Sequence, residues 1–161
     1  MLDVLRPVAV QLELNGRQLL NAIEDMPAEV WLRRLGEHSN HPAFLALHLL
    51  DARCFLLGLL GVPASHGFEE VGRDATRLED IPDYPDSAEI LGAWKRVSEN
   101  LPSALENAGM ERLAAAAPHE FPVSDASVLG AVAFLVQHEA YHLGQLGLIR
   151  RAAGMAPLSY A

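Results

Sequence analysis

The chain has 161 residues, half of them hydrophobic and a fifth charged, with a formal net charge of −9 and a pI near 5.1. That length predicts one domain over residues 1–161 with room for a real core, in a composition typical of folded rather than disordered chains. The acidic surface argues against nucleic acid and against anionic membranes as partners, since both would repel it.

Asp3 is placed to cap a first helix running to about Asp25. Leu5, Val8, Leu12, Leu19 and Ile23 recur at helical spacing, with Glu13, Asn15 and Arg17 facing out and Pro7 in the first turn. The start carries Asp3 and Arg6 and lacks an apolar signal core. Met26-Pro27 ends this helix, Ala28 to Leu32 reads as a short helical turn with Trp31, and Gly36 to Ser39 as a polar connection. Asn40 then looks like an N-cap, with Pro42 in the first turn of a second helix reaching about Leu60 and stopped by Gly61 and Pro63. The apolar neighbourhood Phe44 to Val62 is interrupted by His48, Asp51 and Arg53, which argues against a membrane span. Cys54, the single cysteine, permits no internal disulfide and reads as a small core hydrophobe. The expected location is the cytoplasm.

From Ala64 to Asp86 glycine, proline and charge break any periodicity, so the stretch reads as a long irregular connection and as a lid or mouth over a pocket. Ser87 or Asp86 caps a third helix to about Asn107, with Ile90, Leu91, Trp94, Val97, Leu101 and Leu105 on its apolar stripe and Pro102 set to kink or split it. Leu113 to Ala117 reads as a short helical remnant and His119 to Pro122 as extended. Ser124 or Asp125 caps a last helix to about Ala153. With no sustained strand alternation, these elements predict an all-α four-helix bundle with long inter-helix connections.

The last helix carries His138-Glu139-Ala140-Tyr141-His142. Histidines four apart share one helix face, and a paired-imidazole face on a mostly apolar helix suits a divalent metal. Gln145 continues that face and reads as a pocket residue. Read literally, the string is also the zincin signature, but no Asp, Glu, His or Cys follows His142 to complete it. A third ligand must come from upstream. His48 interrupts the run Phe44 to Leu50 and stands out as the candidate, though a lone core histidine is more often a hydrogen-bonded packing residue than a ligand. His41, two turns earlier, reads as a helix-start or pocket-mouth residue. His38, His66 and His119 read as solvated, and Arg150-Arg151 as complements to the helix dipole.

Gln137-His138-Glu139-Ala140-Tyr141-His142-Leu143-Gly144-Gln145-Leu146, with Ile149-Arg150-Arg151 after it, resembles the last helix of the DinB/YfiT-like superfamily of metal-binding four-helix bundles. The family pattern, one His on the second helix and HxxxHxGQ on the last, falls on His48, His138, His142, Gly144 and Gln145. The resemblance implies a zinc or nickel ion held by those three histidines, a homodimer, and in some members S-transfer from a low-molecular-weight thiol co-substrate to a small electrophile. On that reading Glu139 or Tyr141 is a weak candidate for proton transfer. Two other functions stay open: hydrolysis by metal-activated water, with Glu139 as base, and a non-enzymatic bundle that binds a metal or ligand.

Overall fold

The computed structural model describes residues 1–71, 78–81 and 83–160. A single 3-10 turn (Asp3–Leu5) leads into α1 (Arg6–Ile23), followed by the short α2 (Ala28–Trp31) and α3 (Pro42–Leu59). Next come α4 (Ser87–Ser98), α5 (Leu101–Asn107), α6 (Met110–Ala114) and the long α7 (Val128–Ala152). Among the described residues there is no strand, only an isolated bridge between Ala116 and Ser127. The fold is the expected all-α bundle, in which α7 packs against α1 and α3, and α4 against α3 and α1.

Position in the bundle follows from how far round each helix is apolar. On α1 and α4 the buried residues keep to one stripe, Leu12, Leu19 and Ile23 on the first and Ile90, Trp94 and Val97 on the second. The other faces stay in water, as on any surface helix. α3 and α7 instead bury side chains on most sides, including Leu45, Leu49, Leu50, Leu56 and Leu57 on α3 and Val132, Leu135, Leu143 and Leu146 on α7. These are the core helices, and each buried leucine contributes about 1.5–3 kcal/mol of burial free energy. α3 is long and apolar enough to cross a membrane by length and composition, yet most of it is buried inside the bundle.

The element boundaries have local causes. α3 is capped by His41, whose Nδ1 accepts from Phe44 N at 3.1 Å, rather than by Asn40. At its end Gly61 takes φ +92°, the left-handed conformation that releases a helix cheaply only at glycine. Asp86 and Glu89 form a reciprocal capping box on α4. Pro102 does split the third long helix, with α4 ending at Ser98 and α5 opening with the proline in its first turn. α7 starts later than Ser124 or Asp125: Ser127 caps it, while Asp125 Oδ1 accepts from Ser127 N at 2.9 Å. The strand-like pairing of Ala117 N with Ala126 O and of Val128 N with Ala115 O holds residues 116–127 outside the helix. Of the connection expected to form a lid, residues 72–77 and 82 lie outside the described residues, and Leu78–Asp80 forms a 3-10 turn.

Arg150 does more than face the α7 dipole. It is 3 % exposed and donates to Ala22 O at 2.9 Å, to the Asp25 carboxylate at 2.5 Å and to Ala156 O at 3.1 Å. It thereby ties the end of α1 and the C-terminal segment to α7. Arg151 is exposed.

Candidate metal centre

The centre lies where α3 crosses α7. His138 and His142, one turn apart on α7, present their rings to the same side, and His48 meets them from α3. His48 Nε2 and His138 Nε2 are 2.9 Å apart. Ring centroids stand 4.9 Å apart for His48 with His138, 4.9 Å for His48 with His142 and 4.4 Å for His138 with His142. All three pairs are edge-on, so no ring stacks on another. One nitrogen from each lies within 4.8 Å of the others, a group among the described residues that could hold a metal ion.

Three observations test whether these residues suit a divalent ion. The nitrogens are close to the spacing a tetrahedral site needs: two nitrogens 2.0–2.1 Å from one ion sit about 3.3 Å apart, a few tenths of an ångström beyond the His48–His138 separation. His48 and His138 are held toward the neutral form that metal binding needs. Burial, and then the neighbouring His142 and His138, push His48 down to about 4; burial and His142 lower His138 as well. Finally, His142 Nδ1 lies 2.8 Å from Gln145 Oε1. An amide oxygen only accepts, so Nδ1 carries the proton and Nε2 keeps its lone pair, the orientation that an outer hydrogen bond gives a metal-bound histidine. The donor set fits.

Aromatic side chains wall the centre. Phe44 stacks on His48 with centroids 5.8 Å apart, and Phe134 lies 5.6 Å from His138. From Phe134 the row continues to Phe121 at 5.5 Å and on to Phe55 at 6.2 Å. Phe55, with Asp51 and Cys54, lines a groove of about 1030 Å³ between α3 and the α6 region. The groove begins one turn along α3 from His48.

Beneath the histidines runs a buried polar layer. Glu139, one residue round α7 from His138, turns inward and is 1 % exposed. Its Oε1 accepts from Arg53 Nε at 2.7 Å and its Oε2 from Arg53 Nη2 at 2.8 Å, a two-pronged pair buried on both sides. Asn15 of α1 donates to Glu139 Oε2 at 3.2 Å and to Val136 O at 3.1 Å, and the Arg53 guanidinium lies 4.3 Å from the Trp94 ring centroid. Four helices thus meet around one ion pair. Glu139, expected as a proton-transfer candidate, has both carboxylate oxygens engaged in this layer.

The other expected site residues fall as follows. Gln145 sits beside His142, as its place on the helix face implied. His41 sits at the helix start, where it caps α3 and packs edge-on against Tyr84 at 4.6 Å. Tyr141 is 57 % exposed, with its ring 5.1 Å from that of His142. His66, expected in solvent, is 3 % exposed: its Nδ1 accepts from Phe68 N, and its Nε2 lies 2.7 Å from Asp51 Oδ1. Arg53 was not singled out from sequence as a site residue, and Asn15, expected to face out with Glu13 and Arg17, is 1 % exposed and turned onto Glu139. The available signal was an arginine in the middle of an apolar helix, which needs an acidic partner somewhere.

No curated protein matches the chain significantly. The family model of the DinB superfamily matches residues 11–146, from within α1 to beyond the last histidine, and the chain belongs to that superfamily.

Proposed function

We propose that His48, His138 and His142 hold a divalent cation, zinc or nickel, and that the centre serves metal-dependent chemistry on a small molecule, with S-transfer from a low-molecular-weight thiol to an electrophile as the reaction. The observation that carries this reading is the convergence of three imidazoles from two helices, with no fourth protein donor in the group among the described residues. Three-ligand sites leave a coordination position open, the pattern of catalytic rather than structural centres. A bound ion there supplies acidity, lowering the pKa of a thiol or water enough to give a nucleophile at neutral pH.

This chain's residues do the rest. Gln145 fixes the His142 tautomer. Phe44 and Phe134 flank the imidazoles and keep their surroundings apolar, which strengthens every charge interaction inside. The row Phe134, Phe121, Phe55 leads to the groove beside Asp51 and Cys54, a place for the apolar part of an electrophile. Arg53 and Glu139 set the spacing of α3 and α7 and with it the distance between His48 and the α7 pair. Hydrolysis with Glu139 as general base finds no support in this arrangement, because both carboxylate oxygens are held by Arg53.

Metal content of untagged protein, measured by elemental analysis, tests the reading directly. About one equivalent per chain is expected, falling to background in His48→Ala. Turnover of an electrophile panel with each cellular thiol should then be abolished by chelation and restored by metal. Metal-independent turnover, or none with any thiol, would remove the S-transferase assignment.

A further inference from the structure

A second groove, of about 980 Å³, runs between α1 and the α4–α5 pair. Its apolar walls are Leu12, Gly16 and Leu20 on one side and Trp94, Leu101 and Leu105 on the other. Trp94 is 2 % exposed, yet its indole Nε1–H makes no hydrogen bond among the described residues. Fully buried side-chain nitrogens and oxygens there all have partners, so this donor keeps an opening to the groove. The other buried indole, Trp31, donates to Pro85 O at 2.9 Å. A donor left open in an otherwise apolar wall is a point where a ligand's acceptor can take the place of water.

Gly16 makes the opening. It sits mid-helix in α1, where glycine is less stable than alanine, and its backbone is ordinary right-handed helix. A Cβ built there would have Trp94 Nε1 as its nearest neighbour, at 4.0 Å. Packing would therefore accept a methyl group, and what a side chain would do is stand over the indole N–H. The rim carries Arg6, Arg17 and Lys95 against Glu13, Glu99 and Glu106, with Arg17 already 2.6 Å from Glu13 and Arg6 3.0 Å from Asp3. Arg53, which also reaches the groove, is neutralised by Glu139. Both signs alternate around the rim, so the groove presents no strong field of either sign to a ligand. Its volume is within the roughly 300–1,000 Å³ typical of small-molecule sites.

We propose that this groove is a second small-molecule site, separate from the histidine centre, that takes an uncharged ring compound whose carbonyl oxygen accepts from Trp94 Nε1–H. The proposal stands whether or not the histidines hold a metal.

Acetophenone, an uncharged aromatic ketone, is the probe. Titrated into the nitrogen-15-labelled full chain, it should shift the Trp94 indole resonance saturably and leave that of Trp31 in place, with Trp94→Phe providing the assignment. Gly16→Leu fills the groove and should abolish the saturable shift; the milder Gly16→Ala, which leaves the fold intact, should weaken binding several-fold. Trp94→Phe keeps the walls and should weaken ligand-detected binding several-fold as well. An indole resonance that does not respond, or equal binding by the glycine variants, overturns the proposal. So does a Trp94 shift that follows protein concentration and ignores acetophenone, which would mean that a second copy of the chain covers the groove.

Discussion

At the scale of single residues, the centre depends on which ring nitrogen carries a proton. His142 has its Nδ1–H directed by Gln145, so the lone pair on Nε2 does not have to be found anew each time a ligand arrives. Gln145→Leu should therefore lower metal affinity by about 10–100-fold, the usual effect of losing such an outer partner, while leaving the stoichiometry near one. Competition with a chromophoric chelator measures it; an unchanged affinity would separate Gln145 from the centre. Tyr141→Phe, by contrast, changes a side chain that is mostly in water and should leave both affinity and stability within about 0.5 kcal/mol of the parent. The histidine pair was legible in sequence because four-residue spacing maps directly onto one helix face. His48 was legible only as an anomaly in an apolar run, since nothing local says which helix it will face. His66 was misread for the same reason: the partner that holds its ring, Asp51, lies fifteen residues earlier and on another element.

At the scale of elements, the Arg53–Glu139 pair joins α3 to α7, with Asn15 of α1 bonded to the same carboxylate. Buried pairs contribute little relative to apolar replacements, but removing one partner strands a charge. Glu139→Gln should thus cost about 3–5 kcal/mol in urea unfolding, and the double variant Arg53→Met with Glu139→Leu should recover most of that loss. A Glu139→Gln protein of parental stability would show that the pair is not the seam between these helices. Gly61→Ala should cost about 1–2 kcal/mol, because a left-handed φ is strained for any side chain, and its Cβ would come within 3.0 Å of the Arg112 guanidinium. Chemical denaturation of this variant, with an unchanged slope, is the check. The stops at Gly61 and Pro102 were readable because these residues act on their own backbone. The start of α7 was not, since Ser127 takes over as cap only when residues 116 and 127 pair across the preceding loop. Nor was the role of Glu139 readable: the string HExxH is silent about what lies one-third of a turn away, where Arg53 waits.

At the scale of the whole molecule, three histidines are pushed in the same direction. Burial lowers His41 and His138, and takes His48 to about 4. In the unfolded chain each takes up a proton near pH 6.5, whereas in the folded chain each resists protonation until lower pH. The unfolded state therefore binds more protons in between. Stability of the chelated protein should be full above about pH 6.5 and decline steadily as the pH falls toward 4. Thermal melts across that range check it, and a melting temperature flat from pH 7 to 4.5 would contradict the burial of these rings. The bundle architecture was readable from four long apolar periodicities. Which helices would be central was harder, because it rests on how completely each is covered by the others.

The doubled seam between α3 and α7 has one further consequence. Imidazoles meet at one level and an arginine–carboxylate pair at the level below, so the scaffold does not need a bound ion to stay assembled. Zinc fingers collapse when stripped; this bundle should instead keep its circular dichroism unchanged after dialysis against a strong chelator. A cradle that stands without an ion would let the same polypeptide be compared across added cations without refolding it.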